Sequence, residues 1–469
     1  MDKKSDDYSK VEEDLLRPIT QTGRDFYVTV AILLAIISVG VFAWIIQLRE
    51  GLGVTGLNRP VYWGVYITNF VFFIGISHAG TLISAILRLA NAEWRRAITR
   101  SAEVITVLVL FIGVGNIIND LGRPERLLYT IFHGEFLSPL LWDVVSISAY
   151  LFCSTVYLYL PLIPDIALMR DKFKGTRRGK IYRILAIGWK GTEKQWKILG
   201  RAISLMAVMI IPIAVSVHTV VSYVFAMTIQ PMWHSTILGP YFVTGAIFSG
   251  IAGLLIAMVI IRKSCHLQAY LKPVHFNNLG LLLLVMSLLW FYFTFTETLT
   301  SFYGAEPSHL AVFYAKLTGQ YAPYFWTMIF LCFIFPVAIL SNRKTRTISG
   351  VFIVSCGVIV GMWLERYTIV LPTLINPRLP IERGAYTPTW VELAITAACF
   401  AAFILLYILF VKVFPIVSIW EIKEGKEVGV EETAERVKSY LPDTVFEKKS
   451  GGLGANEINS SSKRENDHE

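Results

Sequence analysis

Four of the side chains that can handle protons and sit in or beside long apolar runs stand out. They are Asp143 in Ser138-Pro-Leu-Leu-Trp-Asp143, Asp120 in Asn119-Asp-Leu-Gly-Arg-Pro124, and the histidines His78 and His218. Carboxylates and imidazoles are the groups that exchange protons in acid–base chemistry. In an apolar surrounding each is costly, which makes it a functional suspect. Asp143 falls in the first turns of a helix that Ser138 can cap and Pro139 can start, so stabilisation by the helix N-terminus is the competing reading. Asp120 ends a helix before the stop signals Gly122 and Pro124, at the unfavourable end of the dipole; it either takes part in proton exchange or pairs with Arg123 at the surface. A lone membrane histidine such as His78 can also simply bond a neighbouring helix. At 3.6 residues per turn Asn69 lies opposite His78, whereas Tyr66 and Asn69 share a face that could line the outer end of the helix. Glu297, in a run of threonines, and the adjacent Glu365 and Arg366 suit a hydrated proton path; solvation at helix ends, with Glu365 and Arg366 pairing, is the alternative.

These residues need positioning elements, and composition says what those are. The 469 residues are 54% hydrophobic and only 16% charged, well below the quarter typical of soluble domains. Ten stretches reach the roughly 20 apolar residues a spanning helix needs: 28–48, 61–87, 101–119, 141–161, 202–229, 238–261, 279–300, 323–341, 348–365 and 389–411. The ~10-residue alternating segments of a β-barrel are absent. The expected fold class is therefore an all-α polytopic membrane protein with about ten transmembrane helices. No cleavable leader is evident. The +9 charge sits in loops rather than in a stripe, so no nucleic-acid partner is expected and the lipid membrane is. Cys153, Cys265, Cys332, Cys356 and Cys399 are scattered without CxxC spacing. No iron–sulfur cluster, metal site or covalent haem is expected in this chain, and only two histidines clearly inside spans argue against a di-haem cytochrome.

With the N-terminus inside, the inner loops 88–100, 162–201, 262–272 and 342–347 hold 21 Lys and Arg, against 8 in the outer loops. The positive-inside rule selects that orientation, with both termini cytoplasmic. An internal echo divides the spans: Phe72 to Gly80 resembles Ala246 to Gly253, and Ser138-Pro-Leu-Leu-Trp-Asp143 resembles Ala322-Pro-Tyr-Phe-Trp-Thr327. Two four-helix bundles, flanked by the first and last helices, are expected. The boundaries are 1–27 for a cytoplasmic N-terminal segment, 28–60 for the first helix and its outer loop, 61–230 and 231–366 for the two bundles, 367–411 for an outer loop and the tenth helix, and 412–469 for a cytoplasmic tail with a disordered end. His78 and Asp143 face Ile251 and Thr327 in the echo, so polar chemistry is expected in the first bundle. A parallel repeat also fits a secondary transporter, although Pro212 of the fifth span has no counterpart in 348–365. A purely structural anchor is a third option and leaves Asp143 unexplained.

Ile67 to Leu87, Leu121-Gly-Arg-Pro124, Ser138 to Asp143, Ser216 to Ser222 and Trp233-His-Ser-Thr-Ile237 with Pro240-Tyr-Phe-Val occur in an order that resembles the NrfD/polysulfide-reductase membrane-subunit family over about residues 25–412. The resemblance is to its larger, ten-helix members, such as the quinol-oxidising subunit of alternative complex III. It implies a subunit of a respiratory complex in a prokaryotic cytoplasmic (inner) membrane. Such a subunit carries no redox cofactor of its own, binds quinone or menaquinone as substrate near the outer face, and exchanges electrons with a docked ferredoxin-like iron–sulfur subunit. Other membrane and cytochrome subunits and proton translocation are implied as well. Asp143 carries over as a quinol ligand. The histidine that precedes Leu-Gly-Arg-Pro in that subunit is Asp120 here. The Leu-Gly-Arg-Pro-Glu-Arg stretch is more like subunits of sulfur-metabolism, hydrogenase-like and heterodisulfide-reductase-like complexes. The expected quinol site is thus Asp143, Asp120 and His78, with Arg123, His218, Tyr66, Asn69 and Trp142 around them, and with Glu297, Glu365 and Arg366 on a proton path.

Overall fold

The computed structural model describes residues 2–426 apart from 91, 380, 381 and 383. Ten of its helices are long and apolar enough to cross a membrane. After a charged helix α1 (Asp2–Thr20) come α2 (Arg24–Glu50), α3 (Val65–Leu89), α4 (Thr99–Asp120), a single turn α5 (Tyr129–Phe132), α6 (Pro139–Lys172), a surface helix α7 (Arg177–Leu185), α8 (Glu193–Ala226), α9 (Leu238–Ser264) and α10 (Pro273–Gly304). A second surface helix α11 (Pro307–Leu317) precedes α12 (Ala322–Ile329) and α13 (Phe335–Leu340), which form one span joined by a π turn, then α14 (Ile348–Ile375) and α15 (Trp390–Val413). The described residues beyond Ile419 belong to a second unit and are helical through 426. The disordered end expected in the tail lies outside the described residues.

Local chemistry sets the ends of these helices. Proline opens α6, α10 and α11, where its missing N–H costs nothing. Thr192 with Gln195 and Thr389 with Glu392 form reciprocal capping boxes on α8 and α15. Gly122, with φ of 64°, turns the chain sharply just after α4. Ser138 precedes α6 as expected, but its side chain makes no cap bond.

Within the first unit, α3, α4, α6 and α8 pack in a ring, and so do α9, α10, α12–α13 and α14. The rings meet where α3 packs on α9 and α14 and where α8 packs on α9, while α2 and α15 pair with each other against α4 and α3. The echoing segments of α3 and α9 touch: a Cβ on Gly75 would lie 3.5 Å from Ser249 Oγ, and one on Gly253 would lie 3.5 Å from Ile76. Small residues permit such approach where lipid leaves no hydrophobic drive between helices. Gly80 and Gly40 act likewise, against Ala102 and Thr106 and against Ala398. Burial separates a central helix from peripheral ones: 88% of the α3 span is buried, but only 17% of α2 and of α15.

Boundaries differ from the sequence-based expectation most at α6, α8 and α14. Helix α6 continues eleven residues past 161 to Lys172, and α8 starts at Glu193, so the basic 162–201 stretch is mostly helix around a short α7. Helix α14 runs to Ile375 through Pro372, which places Glu365 and Arg366 inside a helix rather than at its end. A proline therefore does occur in the ninth span, but α8 and α14 are both continuous and neither shows the broken helix of a transporter site. The connections after the first, third, fifth, seventh and ninth spans share one face of the bundle, the odd-loop face; the remaining connections make the even-loop face.

Candidate functional site

His78 projects from α3 toward α8, where its Nε2–H donates to the Ala214 carbonyl at 2.6 Å. The His218 ring packs edge-on at 3.7 Å between centroids. Both histidines are fully buried, and neither His218 nitrogen has a hydrogen-bond partner. His78 thus does bond a neighbouring helix, and it also brings a second imidazole with it. On the other side the Tyr150 ring of α6 lies 5.1 Å from His78. Its hydroxyl pairs with Thr81 at 2.5 Å and donates to the Ser77 carbonyl at 3.1 Å. One turn further Ser84 donates to Glu103 at 2.6 Å and meets the Tyr157 hydroxyl at 3.2 Å. A polar ladder therefore runs from the histidine pair toward the even-loop face. The sequence carries its signal: His78, Thr81 and Ser84 recur every three residues on α3, and Tyr150, Ser154 and Tyr157 at four and three on α6, so each set shares a helix face.

The second bundle joins this core through Arg366, which lies within electrostatic reach of His218. Arg366 Nη1 sits 3.1 Å from Glu365 Oε2 with both side chains buried, and its guanidinium lies 4.6 Å over the Phe242 ring. Trp290 Nε1–H donates to the other Glu365 oxygen at 2.7 Å. The expected pairing of Glu365 with Arg366 is present, while helix-end solvation is overturned because α14 continues past both. Gly245 gives the guanidinium room, since a Cβ would stand 2.7 Å from Arg366 Nη2 and the side chain would have to shift.

Glu365 lines a cavity of about 50 Å³ with Tyr241, Thr294, Glu297 and Lys316. Glu297 accepts from Ser235 Oγ at 2.9 Å. Lys316 has no signal of its own in the sequence; on the surface helix α11, burial pushes its ammonium down to about 8 against the opposing pull of Glu297 and Glu365. Its unfolded value of 10.5 is higher, so burying it costs stability at neutral pH, and that cost is relieved as pH rises from about 8 toward 10.5. Amine-selective methylation of Lys316, followed by mass spectrometry, is expected to reach half its limiting rate near pH 8. Glu297→Gln removes a charge that favours the ammonium and is expected to move that midpoint lower.

At the odd-loop face Asp143 is 7% exposed, and its Oδ1 is enclosed with no hydrogen-bond partner. Trp142 beside it donates to the Phe136 carbonyl at 2.7 Å, pinning the loop before α6. That loop exposes Tyr129, Phe132, Phe136 and Leu137, the last two at 81%. Asp120, at the end of α4, also encloses an unpartnered Oδ1, with Glu392 and Tyr66 as its ionisable neighbours. The alternative Asp120–Arg123 pair is not formed among the described residues: Arg123 is exposed.

Tyr66 and Asn69 do share a face, but that face is taken. The Tyr66 hydroxyl donates to Gln47 at 2.6 Å, and Gln47 in turn donates to the Asn119 carbonyl at 2.7 Å. Asn69 donates to Thr396 at 2.9 Å and accepts from Trp363 Nε1 at 2.8 Å. Both residues lock α3 to the flanking helices and to α14 rather than facing the histidine pair. A contrasting carboxylate is Glu392, which sequence reasoning passes over. It accepts from the N–H of Gly56 and of Thr389 and from the Tyr386 hydroxyl, at 2.6 to 2.9 Å. A carboxylate so satisfied is structural; one with an enclosed, empty acceptor needs another explanation.

A family model described as "Polysulphide reductase, NrfD" matches residues 53–377. Among curated proteins, the chain is 26% identical to a putative dimethyl sulfoxide reductase membrane subunit from Halobacterium salinarum, over 84% of this chain and 91% of that protein. It is 22% identical to the Hdr-like menaquinol oxidoreductase integral membrane subunit from Archaeoglobus fulgidus, over 90% and 99%. It is 22% identical to the integral membrane subunit of menaquinone reductase from Nitratidesulfovibrio vulgaris, over 75% and 83%.

Proposed function

Because this chain belongs to the polysulphide reductase NrfD family, we propose that it is the quinol-binding integral-membrane subunit of a respiratory oxidoreductase complex. The observation that carries the proposal is Asp143: a buried carboxylate with an enclosed, unpartnered oxygen, set beside a loop whose aromatic side chains are exposed. A quinol headgroup has the hydroxyls that such an oxygen lacks, and its isoprenoid tail suits an apolar approach. Two relatives, a menaquinol oxidoreductase subunit and a menaquinone reductase subunit, support menaquinone as the quinone class.

Oxidation of a quinol to the quinone releases two electrons and two protons. Asp143 accepts the hydrogen bond and then a proton from one ring hydroxyl. Asp120 at the same face serves the other, with Trp142 holding the loop and Arg123 at the rim. This chain shows no cluster-binding motif, so the electrons pass to a partner, an iron–sulfur subunit docked on the odd-loop face. By the positive-inside rule that face is outside the cytoplasmic membrane and both termini are inside. His78, His218, Arg366 and Glu365 form an internal ionisable core from which the hydroxyl ladder to Glu103 leads inward, which suits proton movement coupled to the quinol reaction. Reversing each step reduces a quinone with the same groups.

A photoreactive menaquinone analogue tests the location. Its cross-links are expected in the 128–147 segment of the intact complex and should be competed away by menaquinone. Cross-links confined to the second-bundle cavity would move the site to Glu297 and Glu365.

A further inference from the structure

Above the second-bundle cavity lies a cluster that the quinol reading does not use. We propose that His234, Glu306 and His309 bind a divalent transition-metal ion, zinc by their donor set, which clamps the Gln230–Ile237 loop to α11 across the mouth of that cavity. Among the described residues, these three form the one group of His, Cys, Asp or Glu whose donor atoms all lie within 4.8 Å of one another. Two imidazoles and a carboxylate with an open fourth position make a zinc-type set.

Two of the three donors are held by partners that leave one atom free. His234 Nδ1–H donates to the Gln230 carbonyl at 3.2 Å, which leaves the Nε2 lone pair to bind. Glu306 Oε1 accepts from Ser308 at 2.8 Å and lies 3.4 Å from Arg378 Nη2, while Oε2 points toward His309 at 3.7 Å. His309 Nε2 is enclosed and has no hydrogen-bond partner, and the two imidazole rings are 4.8 Å apart. Such outer partners orient ligands in metal sites and are part of their affinity. Tetrahedral zinc draws its donors to about 3.4 Å apart. The adjustment needed is roughly 1 Å, which the exposed side chain of His234 can supply by rotation.

The position gives the ion a consequence. Met232 and Trp233 line one side of the cavity, and Phe313, Lys316 and Leu317 of α11 line the other. Ser235, next to His234, holds Glu297. An ion bridging His234 to Glu306 and His309 fixes the two rims together above Glu297 and Lys316. Nothing in the sequence points to this site, because His234 is separated from the other two by the whole of α9 and α10.

The test uses the full chain in its complex, stripped of metal by a chelator and titrated with Co²⁺. One Co²⁺ per chain is expected, with the intense visible absorption of a tetrahedral nitrogen/oxygen site and displacement by Zn²⁺. Glu306→Gln and His309→Ala are each expected to weaken binding at least tenfold, since losing even an outer partner costs about 10–100-fold. His133→Ala, an exposed histidine elsewhere on the same face, is expected to leave it unchanged. Zn²⁺ should also slow proteolysis of the 305–321 connection in the wild type and not in His234→Ala, whose side chain is exposed and whose loss leaves the fold intact. No uptake, or uptake equal in wild type and the His234→Ala/Glu306→Gln/His309→Ala triple variant, would overturn the proposal. These readouts do not involve quinol, so they stand or fall separately from the reading of Asp143.

Discussion

Asp143→Asn is expected to lower quinol-linked electron transfer by about a hundredfold or more while the complex still assembles, since a positioned acid–base group typically contributes 10²–10⁴-fold. Asparagine matches the carboxylate in shape and keeps an oxygen that accepts a hydrogen bond, but it cannot take the proton. Stability separates this role from a structural one. The enclosed Oδ1 has no partner and Ser138 makes no cap bond, so neutralising the group removes a desolvation cost. The variant should therefore melt no lower than wild type. If Asp143 served only to stabilise the helix N-terminus, its loss would cost about 0.3–1 kcal/mol and leave turnover intact. The satisfied carboxylate Glu392 should behave in the opposite way, losing stability on conversion to Gln.

Breaking the buried pair Arg100–Asp165 is expected to destabilise the chain by about 3–5 kcal/mol, because the charge left behind stays desolvated without its opposite charge. The two side chains are each 2% exposed and 2.5 Å apart. Arg100 also donates to the Pro161 carbonyl at 2.9 Å, to the Pro415 carbonyl at 3.2 Å and to Ser418 Oγ at 3.1 Å, while the Ile419 N–H donates to Asp165 at 3.1 Å. The network ties α4 and the inner part of α6 to the segment after α15. Arg100→Met or Asp165→Leu alone should sharply lower the unfolding temperature in detergent. The double variant should recover most of the loss, since a well-packed apolar pair often equals a buried ion pair. Equal losses in the single and double variants would show that the neighbouring hydrogen bonds, not the pair, hold this corner.

The spans were legible because lipid imposes a length of apolar sequence, and all ten appear as helices within a few residues of their expected cores, with α6, α8, α10 and α14 continuing further at one or both ends. Those continuations were not legible, since Asp165 and Glu365 read as loop or helix-end charges when each is in fact paired inside the protein. Partner identity is a long-range property: Arg100 meets Asp165, and Glu392 meets Gly56, only through the fold. The same limit explains the site. His78 and His218 could be named from the sequence, but their ring contact depends on how α3 crosses α8. Asn69 and Tyr66 were placed correctly on one face by helical periodicity, which says nothing about the neighbour that face meets. Lys316 sits on a surface helix in a connection that looked merely structured, and its burial comes from the cavity beneath it.

On the proposed function, electrons from a quinol leave this chain by way of chemistry at Asp143. Pre-steady-state reduction of the proposed iron–sulfur partner by menaquinol, followed spectroscopically in the purified complex, tests this most directly. Rapid cluster reduction is expected in the wild type. In Asp143→Asn complexes that retain every subunit and cluster, reduction should be at least about a hundredfold slower. Equal rates in the two complexes would contradict the account.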